Sequence, residues 1–181
     1  MIDPLFSSAI AVGLALLLLS AAWHKVTAHA AFVAALGNYR LLPPGLVKPV
    51  AMTLPAIETA LALGWLAGPR REIAVATAAL LLGYASAMAV NLLRGRRQID
   101  CGCSLGGAAG GEQPLSWWLP ARNLVLAALA GIASLPGSGR ALGFPDAPTL
   151  AAATLAAVLL YAGASQLIRN AALAARRSPR G

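Results

Sequence analysis

The chain has 181 residues, of which 59% are apolar and only 11% charged, whereas a soluble domain is about half apolar and about a quarter charged. That leaves too few polar residues to cover a water-facing surface, so the expected solvent is lipid. The formal net charge of +8 would suggest nucleic acid in a soluble protein. Here, however, the basic residues sit in short loops and at the C-terminus, where they set topology and meet lipid headgroups. Aromatics are scarce, and nucleic acid is excluded as a partner.

About 20 mostly apolar residues are needed to cross the hydrocarbon core as a helix. The first such run spans roughly 5–23 and closes on Trp23-His24-Lys25. Its positive charge follows the apolar run, the reverse of a secretory signal, so it is expected to stay as an anchor. Residues 28–42 are too short and mixed to span. They predict an amphipathic helix at the interface, stopped by Pro43-Pro44-Gly45.

A second span is expected over about 47–67, with Pro49, Pro55 and Glu58 inside it, and a third over about 73–93, ending near Asn91. A loop over 94–118 holds Cys101, Cys103 and the pair Trp117-Trp118, which suits the headgroup level. The fourth span, about 119–135, is the weakest because Arg122 and Asn123 lie in its first turns. A fifth covers about 150–168, and an Arg-rich tail follows. Backbone groups in lipid must be satisfied within each segment. The expected fold is therefore all-α: one integral membrane domain over residues 1–181, a polytopic bundle of about five transmembrane helices plus a short interfacial helix. The alternative is four spans, with the fourth segment lying in the interface or pairing as a hairpin.

With five spans, eleven of the 14 basic residues fall on one side. These are Lys25, Arg40, Lys48, Arg94, Arg96, Arg97, Arg122, Arg169, Arg176, Arg177 and Arg180; Arg70, Arg71 and Arg140 fall on the other. The positive-inside bias predicts a multi-pass protein of the inner (plasma) membrane with a cytoplasmic C-terminus.

Both cysteines of the chain sit two residues apart, as Cys101-Gly102-Cys103. A disulfide needs Cα atoms about 4.4–6.8 Å apart, and the intervening Gly permits the bend that brings them there. So small a ring gains little loop entropy and carries strain, which makes a disulfide oxidising and labile. The pair therefore suits electron exchange better than stapling. A rival reading joins the two thiolates to His24 and His29 in a zinc site, although usual sites space their cysteines by two to four residues. Glu58, ionisable and within a span, marks function by default. It could relay protons, or bond a neighbouring helix through Lys25 or Arg122. Arg122 could snorkel to the interface or lower a nearby thiol pKa. Asn91 is expected to glue helices together. No cofactor is called for.

In order, the chain presents Lys25 at the end of the first span, Tyr39-Arg40-Leu41-Leu42-Pro43, and Pro55 with Glu58. Asn91-Leu92-Leu93-Arg94-Gly95, Asp100-Cys101-Gly102-Cys103 and Arg122-Asn123 follow. This series resembles the MauE family of methylamine-utilisation membrane proteins, grouped with DoxX-like proteins, over about residues 14–123. The last third matches only as an apolar span. The resemblance implies an accessory, rather than a stand-alone enzyme, in maturing methylamine dehydrogenase. Such a protein would help process, export or disulfide-bond the small, cysteine-rich subunit alongside a thioredoxin-like protein. It also implies that Cys101 and Cys103 form the redox pair, with Arg122 and Glu58 in support. One departure is Ser104-Leu105-Gly106, where the family often continues with Phe-Gly. The alternative function is a small membrane transport or metal-handling protein with Cys101 and Cys103 as ligands.

One tension follows from these expectations. A periplasmic client is oxidised on the far side of the membrane, yet the charge bias sets the dithiol loop near the cytoplasm. A four-span count, a loop folded back into the bundle, or an outward relay of reducing equivalents would each resolve it.

Overall fold

The structure is a computed structural model that describes residues 2–68, 70–96, 115–136, 138 and 140–177. The described residues are all-helical, in six helices: α1 (Pro4–Thr27), α2 (His29–Asn38), α3 (Pro44–Leu66), α4 (Arg71–Leu93), α5 (Trp118–Ala133) and α6 (Asp146–Arg177). Four of them (α1, α3, α4 and the Asp146–Leu167 stretch of α6) are long and apolar enough to cross a membrane. The protein is a helical membrane bundle. Cys101 and Cys103 lie outside the described residues.

Each helix starts and stops for a local reason. The carboxylate of Asp3 accepts the Leu5 N–H at 2.8 Å, and Pro4 follows as the first helical residue, where the missing N–H costs nothing. After α2, Arg40 adopts φ +49°. This left-handed turn and the Pro43-Pro44 pair redirect the chain into α3. Within α3, Pro55 withholds an amide, and the Thr59 hydroxyl donates to the Pro55 carbonyl at 2.8 Å.

The buried faces follow helical spacing. On α1 they are Ala11, Leu14, Ala15, Leu18, Ala22 and Lys25; on α4, Ala74, Thr77, Leu81, Ala85, Met88, Asn91 and Leu92. Recurrence at three and four residues puts each set on one side of its helix. The opposite sides expose large apolar residues such as Leu63, Val75 and Leu93, as expected where lipid is the solvent. Among the described residues α1 is central: α2, α3, α5 and α6 all pack on it, while α4 packs on α3 and α5.

With 16 residues, α5 is about 24 Å long, less than the ~30 Å hydrocarbon core. It nevertheless runs the depth of the bundle. At its start Leu119 joins Tyr39, Met88, Leu92 and Leu115. At its end Ala130 and Ala133 join Ala11, Trp65 and Ala74. Beyond α5, Ile2 N–H donates to the Pro136 carbonyl and Ser138 N–H to the Ile2 carbonyl. The end of α5 and the start of α1 therefore lie at one end of the bundle. Arg140 ties the same end together, its guanidinium 3.3 Å from Asp3 and 3.1 Å from Asp146. The fourth apolar segment thus traverses the bundle rather than lying along its rim. Arg122 and Asn123, which made it the weakest span in the sequence, lie in its first turns near the Lys25 end.

The α3–α4 turn brings Gly64 against Ile73: a Cβ placed on Gly64 would sit 2.6 Å from Ile73 Cδ1 and 3.1 Å from Cγ1. Rotating the tip of Ile73 relieves only the first contact. Gly64→Val is expected to cost about 1–3 kcal/mol by overpacking, read as a lowered thermal midpoint in micelles, with Gly13→Val (open space at the Cβ position) as the neutral control.

Candidate functional site

The most polar feature inside the bundle is an ion pair between α1 and α3. Lys25 Nζ donates to both carboxylate oxygens of Glu58, at 2.6 and 2.9 Å, and each residue is only 1% exposed. Helical Cα–Cβ bonds tilt toward the N-terminus, so Lys25, near the end of α1, aims its chain back into the bundle. A third helix contributes as well. The Tyr84 hydroxyl on α4 donates to Glu58 Oε1 at 2.8 Å.

Two rings complete the surroundings of the ammonium. Its nitrogen lies 5.5 Å from the centroid of Phe32, on α2, and 5.4 Å from that of Tyr84, both within cation–π range. Four helices therefore converge on one ammonium–carboxylate pair. The carboxylate takes three donor contacts and the ammonium two ring faces, which offsets desolvation that would otherwise cost several kcal/mol per ion. Of the partners weighed for Glu58 in the sequence, Lys25 is the one it holds.

Tyr84→Phe keeps the ring over Lys25 and removes the O–H donor. Because that bond is to a charged acceptor, the change is expected to cost about 1.5–3 kcal/mol, measured by thermal unfolding in micelles. A loss below the uncertainty of the midpoint would mean that the hydroxyl is idle.

Arg122 stands elsewhere. Its guanidinium lies over the Tyr161 ring of α6, 5.6 Å from the centroid, and its buried Nε has no hydrogen-bond acceptor among the described residues. Asn91, fully buried, donates from Nδ2 to the Ala87 carbonyl of its own helix at 3.1 Å, and among the described residues its Oδ1 has no partner. The bond to Ala87 lies within α4. Asn123 is buried on the same α5 face as Leu119 and Ala127. His24 is half-buried and His29 exposed. Among the described residues no three His, Cys, Asp or Glu side chains cluster to hold a metal ion.

The described flanks of the dithiol segment, Arg96 and Leu115, both lie at the Lys25 end of the bundle. Arg96 N–H bonds the Asn91 carbonyl at the end of α4, and Leu115 packs with Tyr39 and Leu92. Sequence reasoning missed Tyr84, Phe32 and Tyr161. The only signal for them was an aromatic ring placed inside an apolar run, which the packing of any core also produces.

The family model described as methylamine utilisation protein MauE matches residues 3–136. The chain belongs to the MauE family. The match takes in Lys25, Glu58, Tyr84, Cys101, Cys103 and Arg122. A "Methylamine utilization protein MauE" of Paracoccus denitrificans is 43% identical over 170 residues, covering 92% of this chain and 89% of that protein. The protein of the same name from Paracoccus versutus is 42% identical over 91% of this chain and 88% of its own length. That of Methylorubrum extorquens is 37% identical over 91% and 88%. These MauE relatives extend the similarity into α6, beyond the family model. No solved structure matches the chain.

Proposed function

We propose that this MauE-family protein is a membrane accessory of methylamine utilisation that works by thiol–disulfide exchange at Cys101 and Cys103. In this reading it serves maturation, processing or export of the methylamine dehydrogenase small subunit, together with a thioredoxin-like protein. The observation that carries the reading is the family match, which runs through the only two cysteines of the chain.

The exchange is a closed cycle. A thiolate attacks a partner disulfide, a mixed disulfide forms, and the second cysteine of the pair displaces it. The partner leaves as a dithiol, and Cys101 and Cys103 become the disulfide. Two electrons and two protons have passed to the partner, and the reverse sequence returns them. Arg94, Arg96 and Arg122, at the end where the segment's flanks lie, supply a positive field that favours thiolate. Glu58, fixed by Lys25 and Tyr84, joins α1, α3 and α4 behind that end, and its hydrogen-bonded contact with Tyr84 offers a short proton path. The basic excess at the Lys25 end supports a cytoplasmic position for that end and the C-terminus in the inner membrane.

The test is a trap. One of the two variants Cys101→Ser and Cys103→Ser should accumulate a mixed disulfide with a thioredoxin-like protein, seen on non-reducing gels and identified by mass spectrometry. Replacing both cysteines should abolish the trapped species and leave the dehydrogenase small subunit short of disulfides. An intact small subunit in the double variant, or zinc bound to persistently reduced cysteines, would overturn the proposal. A membrane-impermeant thiol reagent should label the pair in inverted vesicles and not in intact cells. The pair then acts on a periplasmic client through an outward relay of reducing equivalents and not by direct oxidation; the opposite result reverses the orientation.

A further inference from the structure

Two helices flank α1 with no close backbone approach to one another among the described residues. Both α5 and α6 pack on α1 while their own backbones stay apart among the described residues, which leaves a cleft over α1 between them. One side chain crosses it: Arg122 of α5 lies over the Tyr161 ring of α6.

Among the described residues no carboxylate pairs with Arg122. The described carboxylates are Asp3, Glu58, Glu72 and Asp146. Asp3 and Asp146 are held by Arg140 at the far end, Glu72 opens α4 at that same end, and Glu58 is taken by Lys25. Among the described residues no acceptor meets the buried Nε of Arg122, and leaving such a donor unsatisfied costs about 1–3 kcal/mol or more when charged. Its depth is informative. Arg122 sits one turn inside the exposed Trp117-Trp118 pair, the residue type that settles at headgroup level. Its Cα–Cβ bond tilts toward the start of α5 and hence toward that headgroup level. One turn deeper, Val125 on α5 is 60% exposed and Val158 on α6 is 41% exposed, apolar surface on both helices that bound the cleft.

We propose that the α5–α6 cleft binds one anionic phospholipid, its headgroup phosphate accepting from the Arg122 guanidinium and an acyl chain lying along Val125 and Val158. A guanidinium and a phosphate form short, charge-assisted hydrogen bonds, and basic pockets between membrane helices recognise acidic headgroups in this way. The occupant is a lipid rather than a free anion because the phosphate site opens onto apolar helix faces and not onto a polar cavity. The inference goes beyond the thiol reading and stands or falls separately; with Arg122 so engaged, the field at the thiols rests on Arg94 and Arg96.

The full-length protein, purified in non-ionic detergent, is titrated with phosphatidylglycerol or with phosphatidylcholine of the same acyl chains, and retained lipid is counted by native mass spectrometry. One phosphatidylglycerol should be retained with an apparent affinity about tenfold or more above that of phosphatidylcholine, whose phosphate is already balanced by its own quaternary ammonium. Arg122→Gln should bring the two lipids level, Arg122→Lys should keep part of the preference, and Arg140→Gln at the opposite end should leave it intact. Equal retention of both lipids by the parent protein overturns the proposal without reference to any variant. So does thermal protection by millimolar inorganic phosphate equal to that by phosphatidylglycerol, or equal loss in Arg140→Gln.

Discussion

Lys25→Met is expected to cost about 3–5 kcal/mol, and so is Glu58→Gln, because each leaves a buried partner uncompensated. In Lys25→Met the carboxylate keeps only the Tyr84 hydroxyl out of its three donor contacts. In Glu58→Gln the ammonium keeps two ring faces and a neutral amide. The double variant Lys25→Met/Glu58→Met should recover most of the loss, since two flexible apolar chains of similar volume fill the same space without desolvating charge. Denaturant or thermal unfolding in micelles, run as a double-mutant cycle, measures this directly. Single variants within about 1 kcal/mol of the parent would match an exposed surface pair, which would contradict the 1% exposure of both groups.

Trp65→Ala should be comparably damaging, at about 3–5 kcal/mol, the range for removing a large buried ring. Trp65 is 1% exposed and sits with Ala11, Leu14, Leu18, Ala62 and Ala74 in the core at the Asp3 end. Its indole Nε1 donates to the Thr77 hydroxyl of α4 at 2.9 Å, and Thr77 is itself fully buried. Thr77→Val keeps the shape and strands the indole N–H, a smaller loss of about 1–3 kcal/mol. Combined with Trp65→Phe, which removes the donor, the loss from Thr77→Val should shrink. Strict additivity of the two would mean that the hydrogen bond carries no coupling.

The sequence and the structure agree where hydropathy decides. Apolar runs at about 47–67 and 73–93 became α3 and α4 within a few residues, because the length needed to cross lipid and the requirement for internal hydrogen bonding leave one solution. The interfacial helix was legible too: Phe32 and Ala35 turn inward on α2 while His29 stays exposed. Cross-helix chemistry was less legible. Glu58 stood out as a lone acid in a span, and Lys25 was one of two cations that could answer it. Nothing in local spacing distinguishes Lys25 from Arg122, since the choice depends on which helices are neighbours. The roles of Tyr84 and Tyr161 are likewise set by packing, as partners of residues 26 and 39 positions away. The direction of α5 required the backbone bonds between Ile2 and Pro136; in the sequence, Arg122 and Asn123 in its first turns had left a full traverse open to an interfacial or hairpin alternative.

The Lys25–Glu58 pair also bears on how the chain is made. Its two residues are 33 positions apart, so at synthesis rates of about 5–20 residues per second Lys25 emerges roughly 2–7 seconds before its counter-ion. A lone lysine inside a bilayer carries a penalty of at least ~2.5 kcal/mol. The first helix is thus under pressure to hold back, with its lysine at the water boundary, until the third helix arrives. Biogenesis of this bundle is then a paired event, in which α1 and α3 enter lipid together as a neutralised hairpin-like unit. Ribosome-arrested chains ending before Glu58 should leave Lys25 open to water-soluble amine reagents, and chains extending past α3 should bury it.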